Sequence, residues 1–242
     1  MREKCFRWIL LILLLAPASF ADAPTLSADD IFHSDSSVIS LTYTQRIMNL
    51  EQNQEVLADY SAARKPSGLS FRADYHLESP VTQMLLFYPD ADPFLLRYTL
   101  VPSKKLCYQN QFTKKDYTFD PHTIQAAGLW HSLLDGLDQL KKSGLPLNVI
   151  GEETIAGLSC KKVTAGDITK DGFLVWYSPK VDLLLKIEVY KAGKVASRKE
   201  VTVLKEGELP ADTFVLPKNC PMQTLTNKEF DALDVQKLGK KE

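Results

Sequence analysis

GEETIAGLSC (Gly151–Cys160), FLVWYSP (Phe173–Pro179), LLLKIEVY (Leu183–Tyr190) and RKEVTVL (Arg198–Leu204) follow one another with only short turns between them, and LPADTFVLPKNC (Leu209–Cys220) closes the run. Each piece is short, rich in β-branched and aromatic residues, and bounded by Gly, Pro, Asp or Lys-Gly punctuation, which is the signature of consecutive strands. In Leu183–Tyr190 the apolar residues Leu183, Leu185, Ile187 and Val189 alternate with Lys186, Glu188 and Tyr190. A period of two with one apolar side describes a sheet with one face in apolar surroundings and the other in water. No motif for bond-making chemistry interrupts the run.

The same pattern extends upstream. Ser37–Leu50 places Ile39, Leu41, Tyr43 and Ile47 on one side, and Glu55–Ser61 follows as a second strand. Leu69–Leu77 alternates Leu69, Phe71, Ala73, Tyr75 and Leu77 against Ser70, Arg72, Asp74 and His76. Val81–Tyr88, Phe94–Val101 and Leu106–Phe112 come next at hairpin spacing, separated by Pro80, by the Pro89–Pro93 stretch and by Pro102. An antiparallel meander results, each strand beside the next.

The period changes to helical at His122–Ser143, where Ala126, Leu129, Trp130, Leu133, Leu134, Leu137 and Leu140 form one wide stripe that ends before Gly144 and Pro146. A stripe that wide needs an apolar partner, and the sheet supplies one. Thr25–His33 reads as a short helix capped by Ser27, and Thr226–Lys237 as a last helix with Phe230 and Leu233 inward. The fold class is therefore mainly β with α. A meander wider than one helix, roughly 10–12 Å across, leaves room on its apolar face for a ligand. Leu41, Tyr43, Phe71, Tyr75, Phe87, Trp130, Leu134, Leu137, Trp176, Leu185 and Ile187 are the expected lining.

Residues 1–21 read as an export signal: Arg2, Lys4 and Arg7 precede the apolar Trp8–Leu15, and Ser19-Phe20-Ala21 fits cleavage before Asp22. The expected mature chain, 22–242, is one domain. The signal takes three of the 29 basic and one of the 30 acidic residues, leaving 26 and 29 and a net charge of −3. That balance points away from nucleic acid and strongly charged substrates. Cys5 lies ahead of the apolar run, where a lipid-acceptor cysteine does not sit.

Chemistry for turnover is sparse. His33, His76, His122 and His131 have no metal-binding spacing, so neither a metal nor another cofactor is expected. Gly157-Leu158-Ser159-Cys160 lacks the second glycine of a nucleophile elbow, and no His lies near Cys160 in sequence. The chain is read as a non-enzyme. Lys104, Lys105, Lys114 and Lys115 bracket one hairpin and form a candidate rim for a partner. Three mature cysteines, Cys107, Cys160 and Cys220, allow three pairings. Cys160–Cys220 is favoured, because those residues bracket the C-terminal strand set while Cys107 lies in a separate hairpin among lysines.

GEETIAGLSCKKV, VWYSPKVDLLLKIE, KEVTVLKEGELP and DTFVLPKN, in that order, resemble the outer-membrane lipoprotein-sorting (LolA-like) superfamily and its periplasmic relatives. The resemblance covers roughly residues 150–218; over 25–145 it rests on the order of strands and helix. It implies a strongly curved, unclosed antiparallel half-barrel under a helical lid, with an apolar cavity that shields acyl chains in the periplasm. This chain departs from the sorting chaperones in its three mature cysteines and in having Leu183-Leu184-Leu185 where the family often has Leu-Pro-Leu. The reading is a soluble, monomeric periplasmic carrier or binding protein whose expected partner is a lipid or an acylated protein. An interaction module of envelope sensing or assembly, with an envelope protein as partner and no small ligand, is the alternative.

Overall fold

The structure, a computed structural model, describes residues 27–34, 38–65, 68–115 and 136–241. Twelve strands form one sheet: β1 (Ser40–Asn49), β2 (Gln54–Lys65), β3 (Gly68–Tyr75), β4 (Val81–Phe87), β5 (Leu95–Val101), β6 (Leu106–Phe112), β7 (Leu147–Ile155), β8 (Leu158–Gly166), β9 (Gly172–Ser178), β10 (Leu183–Lys191), β11 (Lys194–Glu206) and β12 (Met222–Thr224). Their order is β12-β6-β5-β4-β3-β2-β1-β11-β10-β9-β8-β7, and the sheet does not close into a barrel. The expected meander holds within β1–β6 and within β7–β11. The two halves join where β1 pairs antiparallel with β11.

Tight turns keep the C-terminal half in step. Ala156-Gly157 and Ala192-Gly193 both have positive φ at each residue, the backbone of a two-residue hairpin turn whose twist matches that of the flanking strands. The pairing register slips at Ile150 in β7, Leu185 in β10 and Thr202 in β11, each an extra residue opposite its partner strand. Such bulges bend a sheet and shift its alternation.

Among the described residues four short α-helices accompany the sheet: α1 (Ala28–Ile31), α2 (Leu137–Lys142), α3 (Asn227–Asp231) and α4 (Val235–Leu238). Ser27 caps α1 as expected, accepting from the Asp30 backbone while the Asp30 carboxylate accepts in return. Thr226 and Glu229 make the same reciprocal cap on α3. The last helix is thus two pieces broken at Ala232–Asp234, with Phe230 and Leu233 half-buried. Of the long helix expected over 122–143, only α2 falls within the described residues.

The sides of the sheet follow from the ladders. Leu41, Tyr43 and Gln45 of β1 face Ala62, Tyr60 and Ala58 of β2, and these face Phe71, Ala73 and Tyr75 of β3. We call this the front. Through Ile47, Lys199, Ile187 and Val175 the ladder carries the same face into the C-terminal half. There Ile31, Phe32, Leu137 and Leu140 of the helices pack with Val163, Val175, Tyr177 and Leu184. Lys161 donates to Ile31 O at 2.9 Å and Lys141 lies 3.6 Å from Asp29, tying α1 to β8 and α2 to α1. The helical cover therefore sits on the front.

The chain after β11 is a strap around the first half. Phe214 and Leu216 pack on the back with Met84, Tyr98 and Leu100, and Arg72 donates to Thr213 O at 3.0 Å. Cys220 then bonds Cys107, with Cα atoms 5.9 Å apart, and β12 adds to the edge of β6 in parallel. Beyond that edge α3 turns onto the front, where Phe230 stacks on Arg97 at 4.7 Å. Asp231 takes the Arg97 guanidinium at 2.7 Å. The expected Cys160–Cys220 bond is corrected here: Cys160 is free and buried on β8. Burial of Phe214, Leu216 and Met222 draws the tail away from its own strand set and onto the set that carries Cys107.

Candidate functional site

An aromatic field lies on the front of β1–β6. Tyr43 and Tyr60 stack with ring centroids 4.6 Å apart and planes 4° from parallel, and Phe71 follows at 5.7 Å. Phe87, Phe94 and Phe112 continue the field at 6.3 and 6.5 Å. Between the rings stand Ala58, Ala62 and Ala73, all fully buried. Ring pairs at these separations gain edge and stacking contacts beyond the area they bury. A polar thread crosses the field: the Tyr75 hydroxyl donates to the Gln83 side-chain oxygen at 3.2 Å. Burial pushes the Tyr60 and Tyr75 phenols up, so both stay protonated donors.

Leu41, Tyr43, Phe71, Tyr75 and Phe87 thus come together on one face and in one apolar cluster, which also takes in Leu185 and Trp176. Ile187 shares that face but packs in the second cluster, beneath α1 and α2, and Leu137 joins that cluster from α2 itself. Leu185 is the bulge residue of β10, where Leu184 pairs with Tyr177 and Lys186 with Trp176. The extra residue breaks the expected Leu183-to-Val189 alternation, sending Ile187 to the side of Leu184. Trp130 and Leu134 lie outside the described residues.

Trp176 shares that cluster but stands on the other side of β9 from Val175 and Tyr177. It alternates with Val175 and Tyr177, so it projects from the back, with Lys186 at 4.3 Å and Lys162 at 5.2 Å from its ring. Its indole N–H donates to Glu153 at 2.7 Å. That bond, helped by Lys162 and Lys186, holds the Glu153 carboxyl below the usual range. The side chain is buried under two lysine stems and a carboxylate, an arrangement that ties β7 to β10.

The four lysines do not make one rim. Lys104 and Lys105 sit at the β5–β6 turn, and Lys114 and Lys115 beyond the other end of β6. Seven residues at about 3.4 Å each separate the pairs by roughly 24 Å. Lys114 is also held by Asp90 and Asp92, and Lys104 by Lys240 O. Cys160 offers no nucleophile, because burial pushes its thiol up to about 11. Among the described residues no three metal-ligating side chains gather, and no helix is long and apolar enough to cross a membrane. A cleft of ≈ 440 Å³ between the start of β2 and the C-terminus is lined by Glu55, Val56, Leu77, Glu78, Gln236 and Lys240, apart from the aromatic field.

Tyr60, Phe94, Phe112 and Gln83 belong to the field without having been singled out from sequence. Tyr60 carried a signal, standing in period with Ala58 and Ala62, but alanines hide a stripe that only the ladder exposes. Arg97 gave none: it sits among apolar strand residues and its place is set by Phe112, Phe230, Asn110 and Asp231.

No family model matches the chain, and no curated protein matches it. Among solved structures, the chain is similar to an uncharacterized conserved protein from Thermus thermophilus, at 12% identity and a TM-score of 0.49 over 78% of this chain and 92% of that one. It is similar to MucB in the MucA/MucB complex of Pseudomonas aeruginosa, at 16% identity and a TM-score of 0.44, over 77% of this chain and 58% of that one. A putative outer membrane lipoprotein-sorting protein domain from Vibrio parahaemolyticus is similar at 10% identity and a TM-score of 0.29, over 77% and 90%. This chain therefore spans little more than half the length of the matched MucB chain.

Proposed function

We propose that this protein is a non-enzymatic, periplasmic carrier or binding protein for a lipid-like or acylated ligand, exported by a signal at residues 1–21 and folded as one domain from 22 onward. The observation that supports it is the aromatic field on the front of an unclosed sheet, where Tyr43, Tyr60, Phe71, Phe87 and Phe112 flank buried alanines. An acyl chain laid along that floor removes about 0.8 kcal/mol of unfavourable hydration per buried methylene, so ten methylenes supply several kcal/mol after ordering costs. Binding of this kind needs no reactive group. The alternative, an interaction module without a small ligand, drew on a single lysine rim, and those lysines stand in two groups at opposite ends of β6.

The test is extraction of the purified mature protein with organic solvent, mass spectrometry of the extract, and titration with an uncharged apolar dye. The expected result is co-purified lipid or saturable dye binding that weakens about tenfold in Phe71→Ala. Absence of both lipid and dye binding would overturn the reading.

A further inference from the structure

The field's polar thread contains one buried hydroxyl with nothing to bond. On the front, Tyr43 and Tyr60 stand in one cross-strand row with Ala73, Gln83, Thr99 and Tyr108, since Tyr60 pairs with Ala73, Ala73 with Gln83, Gln83 with Thr99 and Thr99 with Tyr108. The next row holds Gln45, Ala58 and Tyr75. Thr99 is fully buried and its hydroxyl has no hydrogen-bond partner. Gln45 is 4% exposed. Gln83, one strand from Thr99 at about 4.8 Å, uses its oxygen for Tyr75. Buried hydroxyls and amides are almost always paired, because leaving them unpaired forfeits the water they gave up. Valine in place of Thr99 would fill the same volume and suit a strand equally well.

We infer that the Gln83–Thr99 pair, within the band from Gln45 to Thr99, is the recognition point for an uncharged hydrogen-bonding group, an ester or amide carbonyl of an acylated ligand. The inference rests on the proposed lipid-like binding and says which ligands it selects. The described lining disfavours charge. Neither row contains Asp, Glu, Lys, Arg or His, and the Tyr60 and Tyr75 phenols stay protonated. Arg97, in the adjoining row, is held by Asn110 and Asp231 and lies between the Phe112 and Phe230 rings. A carboxylate or phosphate brought here would find no counter-ion among the described residues of the two rows and would lose its water. A carbonyl meets two neutral donors, the Thr99 hydroxyl and the Gln83 amide, while its chain runs over the rings. The band thus fixes the depth at which an acyl chain stops, since each donor gains most when the carbonyl reaches it.

The experiment uses the full mature protein loaded with the uncharged dye N-phenyl-naphthylamine and displaced by three twelve-carbon probes: lauroyl glycerol, laurate and dodecane. Lauroyl glycerol is expected to displace the dye at about tenfold lower concentration than dodecane, as one or two neutral hydrogen bonds supply. Laurate should be no better than dodecane above the range in which it ionises. Thr99→Val with Gln83→Leu should erase the ester preference while dye and dodecane binding persist, Thr99→Ser should retain it, and Thr99→Val alone, which leaves the Tyr75–Gln83 bond in place, should melt no lower than wild type. Equal displacement by all three probes, a preference for laurate, or an ester preference that survives Thr99→Val with Gln83→Leu would overturn the inference while the carrier reading stands. If the dye does not bind wild type, the carrier reading falls and takes this inference with it.

Discussion

Removing the Cys107–Cys220 bond should be the most damaging change available to any cysteine in the chain. The two residues are 113 apart in sequence. In the chain-entropy model, closing a loop of that length removes about 16 cal/mol/K from the unfolded ensemble, so the cross-link contributes about 5 kcal/mol at 25 °C. At roughly 2–4 °C per kcal/mol for a chain of this size, Cys107→Ala with Cys220→Ala should lower the melting temperature by about 10–20 °C. Each single substitution should cost nearly the whole amount, because either one opens the loop. Cys160→Ala removes one buried sulfur and should cost about 1 kcal/mol. Chemical denaturation of the four variants beside wild type reads these differences directly. Alkylation adds a second readout: native protein at neutral pH should take up no label, since Cys160 is buried and its thiol is pushed up to about 11. Unfolded, unreduced protein should take up one equivalent, at Cys160. Reduction should expose the strap, so that protease cuts first between Gly207 and Cys220. The reasoning is refuted if Cys160→Ala proves as costly as Cys220→Ala, or if the single label maps to Cys107.

Two further outcomes follow from local geometry. Gly68→Ala should cost about 3 kcal/mol or more by denaturation, because Gly68 has φ +147° and an added Cβ would meet the backbone oxygen of Phe87; a variant as stable as wild type would show that β3 and β4 can separate there without penalty. Glu153 contributes stability through a carboxyl held below its ordinary value by the Trp176 indole N–H and two lysines, so the contribution is full above that ordinary value and fades as pH falls through the lowered one. The stability gap between wild type and Glu153→Gln should accordingly be largest near neutral pH and close on acidification, and a gap that widens in acid would contradict the sign.

The sequence by itself determined the local elements. Period-two alternation placed Leu106–Phe112 to the residue and most other strands within a few positions, because a strand with one buried face writes that face into its own side chains. It also chose the residues of the field, since Leu41, Tyr43, Phe71, Tyr75 and Phe87 keep one phase from strand to strand. Tertiary structure decided the rest. One inserted residue, Leu185, reverses the alternation without leaving a mark in composition, and Trp176 was drawn to the back by Glu153, Lys162 and Lys186, groups far from it in sequence or hidden among ordinary surface charges. The seam between β1 and β11 and the strap that carries Cys220 to Cys107 join residues more than a hundred positions apart. Such contacts are selected by which apolar surfaces can be buried together once the sheet has formed, a global choice that no single segment encodes.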